Sequence, residues 1–241
     1  MEPSPQYEIP SRQPHAPIIR AAAKALIDRK IPLMEYGSQV EWRCGYPLVL
    51  LLVEWAVPDA LLSLASQTLS DQGIPCVPPS TNISARFGQW ERAGFIHNLD
   101  LVGRSRIYLY PLSFVGLALR DTVEVTSTFD RTLKVLTPKP RMYMVSLIRH
   151  LLNYPIGNSS RIRVQDSLLG FISSYILRDT PINTKEGEDD DDESEEDYQQ
   201  RVEEAVQDMR TWNWDTTEEE YLSIAERLVR DCPSIWDVSS Y

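Results

Sequence analysis

The chain has 241 residues, 42% hydrophobic and 24% charged, with a formal net charge of -11, the balance of a globular chain with one sizeable core plus appendages. The longest apolar run, residues 48–53, stops at Glu54, far short of the roughly 20 residues a bilayer requires. Cys44, Cys76 and Cys232 are unpaired in spacing, as are His15, His97 and His150, which argues against a disulfide framework or a His/Cys metal cluster; with an acidic, Pro-rich start, the expected compartment is cytoplasm or nucleus, with no secretory signal and no membrane partner.

Four prolines among polar residues predict a flexible lead over residues 1–16. Pro17 suits a first helical turn, and Ile18, Ala22, Ala25 and Leu26 recur at helical spacing. Residues 31–36 read as a strand broken by Gly37-Ser38, and 40–44 as a brief helix ended by Gly45. Residues 47–57 are apolar at consecutive positions, the pattern of a strand covered on both faces. A helix is expected after Pro58-Asp59, ending at Gly73, then a short strand at 74–77 and a turn with a short helix at 82–94. Residues 95–102 and 106–110 read as paired strands, the second half-exposed because Arg106, Tyr108 and Tyr110 alternate with Ile107 and Leu109. Residues 111–119 read as a short apolar helix, and 122–129 and 132–136 as β-rich but ambiguous. Helices follow at 141–154 and 160–178, and two shorter ones at about 198–210 and 217–230.

The net charge conceals a division. Residues 1–185 hold 20 Lys/Arg against 15 Asp/Glu, a net of +5; residues 186–241 hold 4 against 20, a net of -16. Ten carboxylates occupy twelve positions from Glu186 to Asp197, the composition of a solvated, disordered linker. The expected organisation is thus a lead (1–16), one α/β (α+β) domain with a helical second half (17–178), an acidic linker (179–197) and a helical tail (198–241).

The chemistry-bearing feature is a Gly-Ser turn shortly before a strand with one carboxylate, Glu54, in an otherwise apolar run. Side chains two apart on a strand share a face, so paired carboxylates there would hold Mg²⁺, while a Gly-Ser turn can present N–H groups and a hydroxyl to phosphates. The position two before Glu54 is Leu52. The bland alternative pairs Glu54 with an arginine such as Arg104 or Arg106.

Ile31-Pro32, Tyr36-Gly37-Ser38, Gly45-Tyr46-Pro47, Val57-Pro58-Asp59 and Tyr108-Leu109-Tyr110-Pro111 occur in the order seen in a nucleotidyltransferase-like family common in filamentous fungi. Residues 17–178 resemble that family. The resemblance implies a mixed sheet with flanking helices, Gly37 and Ser38 as the phosphate-side turn, and Glu54 as one metal-side carboxylate. Asp100 stands as the candidate further carboxylate. Because Leu52 replaces the first, the implied function is a degenerate, non-catalytic relative acting through nucleotide or protein binding, with Mg²⁺ only if the nucleotide site is retained. Two alternatives stand beside it. One is an active Mg-dependent transferase using Glu54, Asp100 and Ser38 on a small molecule or RNA. The other is an adaptor recruiting protein partners through the acidic segment.

Basic residues between Arg104 and Arg163 are spread over about sixty positions without a binding motif, so a solvated surface is expected rather than a nucleic-acid interface. Ser194 is followed by Glu195-Glu196-Asp197. This is the pattern an acid-directed kinase selects, and phosphate there would add about -1.5 to -2 charge.

Overall fold

A computed structural model describes residues 15–46, 50, 52–79, 88–100, 103, 105–179, 193–215 and 218–238. Pro17 in the first turn and small or apolar residues at Ala16, Ile19, Ala22, Ala23 and Leu26 produce helix α1 (Ala16–Asp28) with one buried stripe. The chain then passes through β1 (Met34–Glu35), α2 (Ser38–Arg43), β2 (Leu52–Val57), α3 (Leu62–Asp71) and β3 (Cys76–Val77). Next come β4 (Phe95–Asn98), β5 (Arg106–Pro111), β6 (Thr122–Thr126), β7 (Lys134–Pro138), α4 (Pro140–Asn153) and α5 (Ser159–Phe171). Helices α6 (Glu195–Arg210) and α7 (Glu219–Arg230) complete the order. Of the expected acidic linker, residues 180–192 lie outside the described residues.

The strands form one mixed sheet in the order β3-β4-β5-β2-β1-β7-β6, so β2 is its centre. β2 runs parallel to β5, with Glu54 opposite Tyr108, and β1 runs parallel to β7; the other pairs are antiparallel. Alternation along β2 sends Val53, Trp55 and Val57 into a core shared with α1 and α3. Leu52, Glu54 and Ala56 face the opposite layer, where α2, α4 and α5 pack. Val202, Val206, Met209, Leu228, Val229 and Ile235 belong to that same second core, so α6 and α7 pack against the same layer.

Two local expectations are corrected, and one ambiguous stretch is resolved. Residues 112–116 form turns rather than a helix: β5 runs on to Pro111, Asp59 accepts the Ser113 N–H at 3.1 Å, and Gly116 takes a left-handed φ of 65° that lets the backbone fold back under Arg149. β5 is not half-exposed. It lies between β4 and β2, and both Tyr108 and Tyr110 are buried by the helical layer. The ambiguous stretch 122–136 is the β6–β7 hairpin.

Candidate functional site

Helix α2 has six residues and is wedged between two strands, so every residue but Ser38 is buried, including Gln39, Glu41 and Arg43. Each buried charge then needs a partner. Arg43 pairs with Glu35, whose carboxylate also accepts from Ser127 Oγ (2.9 Å), Thr128 N (2.9 Å) and Thr128 Oγ1 (2.6 Å). That saturated cluster ties β1 and α2 to the β6–β7 turn and leaves no acceptor for a ligand.

Glu54 stands in a second cluster on the α4/α5 side of β2. It is fully buried, and Oε1 forms an ion pair with Arg163 Nη2 of α5. Oε2 accepts the backbone N–H of Ser38 at 3.3 Å, and the Tyr110 hydroxyl lies 3.5 Å from Oε1. The main chain is fixed as well, with Glu54 N donating to Gln39 Oε1 at 2.9 Å and Tyr36 N to Glu54 O at 2.9 Å. Gly37 sits against the carboxylate with φ of 56°, and a Cβ built there would overlap it. The Gly37-Ser38 turn therefore receives the carboxylate of the chain's own Glu54.

Arg163 is enclosed by aromatic rings and acids. Its guanidinium lies 4.7 Å from the Trp90 ring. Burial disfavours its charge, but the Glu54 carboxylate, with Tyr110 and Glu41, more than offsets this and holds its pKa above the ordinary arginine value. Glu41 of α2 is the second acid in the field. Burial raises its pKa, and hydrogen bonds from Ser167 and Tyr143 partly oppose the rise, the latter at 3.3 Å. His150 of α4 is 4.6 Å from Trp90 and 5.0 Å from Phe114, ring to ring. Burial, then Arg163, depresses its pKa to about 4, so the imidazole is neutral at pH 7.

Glu54 and the Gly37-Ser38 turn are thus brought together, whereas Asp100 is not placed on a strand beside them. It lies in the β4–β5 turn, accepting Ser105 N at 2.9 Å, with His15 Nε2 3.8 Å away. Leu52, half-buried and apolar, occupies the position two before Glu54. Both oxygens of Glu54 are engaged by protein donors, and the cation beside it is a guanidinium, so the residues present do not fit Mg²⁺. Among the described residues no group of three or more His, Cys, Asp or Glu is arranged to hold a metal ion.

Sequence reasoning missed Arg163 and Glu41. Arg163 is 109 residues from Glu54 and reads locally as a flank of the α5 apolar stripe. The available signal was Glu54 itself, since a charge inside a doubly covered strand demands an opposite charge. Arg106, one expected partner, instead lies 3.7 Å from Glu91; Arg104 lies outside the described residues. Ser194 caps α6: its Oγ accepts Asp197 N at 3.1 Å and donates to Asp197 Oδ2 at 2.6 Å. The helix consequently begins at Glu195, within the stretch read as linker. No helix among the described residues is long and apolar enough to cross a membrane.

No family model matches the chain, and no curated protein does. Among solved structures it is similar to the antibiotic-resistance factor ANT(2'')-Ia, known from a solution structure with substrate-regulated conformation dynamics. The TM-score is 0.40 at 11% identity, over 64% of this chain and 83% of that one. A likeness of that size assigns no activity.

Proposed function

We propose that this chain is a non-catalytic relative of the nucleotidyltransferase-like proteins its sequence resembles, acting through nucleotide or protein binding. One observation carries the reading: the carboxylate that would face a metal is buried against Arg163 and the Ser38 N–H. A carboxylate so engaged would have to surrender an internal cation before it could take Mg²⁺. Desolvated ion pairs are costly to break, because the partner left behind stays buried and uncompensated. The active-transferase reading has one observation in its favour. Glu41 and Glu54 both act on Arg163, so displacing that side chain would leave two acids in one place.

Calorimetric titration with ATP, with and without Mg²⁺, separates the two. The non-catalytic reading expects no Mg²⁺-dependent binding, and the same result with Glu54→Gln. Mg²⁺-dependent binding that Glu54→Gln abolishes overturns it.

A further inference from the structure

A cleft of about 430 Å³ lies away from Glu54, between the 113–121 segment, the outer side of α4, and Asp215 and Glu218. Its volume is that of a small-ligand site. Three guanidinium groups line it, from Arg120, Arg141 and Arg149, with three carboxylates, Asp121, Asp215 and Glu218. Formal charge balances, yet the pairing is uneven. Arg141 is matched by Glu218. Asp121 accepts the Ala118 N–H at 2.8 Å and lies 3.9 Å from Arg120 Nε. Arg149 donates to Gly116 O at 2.9 Å and lies 5.3 Å over the Tyr221 ring. Among the described residues no carboxylate comes within ion-pair distance of Arg149. A half-buried guanidinium, held in position by a carbonyl and a ring, thus lines the cleft with no counter-ion among the described residues. Arg120, 88% exposed, also lines the cleft.

We propose that this cleft binds a sugar monophosphate, free or as a nucleoside monophosphate. The phosphate sits between Arg149 and Arg120, because guanidinium groups match phosphate oxygens in a bidentate manner. A sugar hydroxyl donates to Asp215, which lies exposed on the rim. The balanced lining disfavours a triphosphate, whose further charges would meet Asp121 and Asp215. The proposal deepens the binding half of the reading above by giving the ligand a place and a class, and it requires no metal.

The test is calorimetric titration of the full chain with ribose 5-phosphate, AMP, ribose and inorganic phosphate, without divalent ions. Ribose 5-phosphate and AMP are expected to saturate and to weaken as salt is raised. Ribose alone is expected not to bind, and inorganic phosphate to bind at least tenfold more weakly. Arg120→Ala, at an exposed side chain with little effect on folding, is expected to weaken ribose 5-phosphate about tenfold, the loss of one charge-assisted contact. Arg149→Gln is expected to abolish binding. Absence of saturation, or equal affinity in wild type, Arg120→Ala and Arg149→Gln, overturns the proposal. Inorganic phosphate binding as tightly as ribose 5-phosphate also overturns it. Failure of the cleft and failure of the non-catalytic reading are distinguishable: Arg120→Ala decides the first, Mg²⁺ dependence with Glu54→Gln the second.

Discussion

Removing either member of the Glu54–Arg163 pair perturbs the centre of the sheet in unequal ways. Glu54 is fully buried and Arg163 is 14% exposed, so breaking the pair falls in the range of about 3–5 kcal/mol observed for orphaned buried charges. Glu54→Gln preserves shape and still accepts the Ser38 N–H. Arg163 also keeps Glu41 in its field, which places this variant near about 3 kcal/mol. Arg163→Met strands both Glu54 and Glu41, which places it at about 5 kcal/mol or above. Against a total stability of about 5–15 kcal/mol, that is enough to leave a marginal fold. The double variant Glu54→Gln/Arg163→Met leaves a single acid, and its cost should fall short of the two single costs combined by at least about 2 kcal/mol. Urea unfolding followed by tryptophan fluorescence suits the measurement, since Trp90 lies against Arg163. Acidification should partly rescue Arg163→Met. Glu41's folded pKa is raised by burial, so its penalty is full above that raised value and disappears as pH falls below its unfolded value. Single-variant costs under about 1 kcal/mol, the range of solvent-screened pairs, would refute the reasoning and mean that the site is open to water.

Three further outcomes follow from the same geometry. His150 titrates near 4 when folded against an ordinary 6.5; stability should therefore be level above pH 6.5, decline by up to about 3 kcal/mol as pH falls to about 4, and level off below. Urea midpoints measured from pH 7.5 to 4 should lose that component of the slope in His150→Phe. Gly37→Ala combines a left-handed φ with overlap on the Glu54 carboxylate and should cost more than about 3 kcal/mol. Gly73→Ala, at φ 79° with open space around it, should cost about 1 kcal/mol by the same unfolding assay. Ser194→Ala removes the α6 cap and should cost about 1 kcal/mol, seen as faster amide exchange confined to the first turn of α6; unchanged exchange would mean that the cap contributes nothing.

Much of the frame was legible because it is local. The apolar spacing of α1, the Gly37 break after β1, the doubly covered β2 and the Gly73 stop of α3 are encoded within windows of a few residues. Residues 112–116 misled because their apolar composition gave no sign that Asp59, more than fifty positions earlier, would take the Ser113 N–H. The buried face of β5 was hidden for a similar reason. Tyrosines alternating with aliphatics resemble a wet strand unless α4 and α5 are known to cover them. The site was half legible, since Glu54 and its turn are neighbours in sequence. The basic character assigned to residues 104–163 was also partly internal. Arg163 is paired with Glu54, Arg141 with Glu218, and buried Arg161 donates to the carbonyls of Leu151, Tyr154 and Val238.

Stability alone does not explain why a chain would keep Glu54 and Arg163, because well-packed apolar residues in place of a buried ion pair are commonly neutral or stabilising. What the pair supplies is register. A guanidinium donating to one carboxylate, with the Ser38 N–H on its other oxygen, fixes α5 and the Gly37 turn against one position of β2. A methylene contact would tolerate a slip of a residue; a buried charge left without its partner would not. The same argument accounts for α4. Its inner side carries Tyr143, Ser146 and His150 into the aromatic cluster around Trp90, and its outer side presents Arg141 and Arg149 to the cleft. Ser146 accepts from Tyr36 at 2.8 Å and donates to Val115 O at 2.5 Å, so the helix is bonded at once to the end of β1 and to the segment that walls the cleft. Tyr36, whose N–H also bonds Glu54 O, thereby links the strand that carries the buried pair to the helix that carries Arg149. An uncompensated guanidinium is useful to a ligand only where its geometry is fixed in advance.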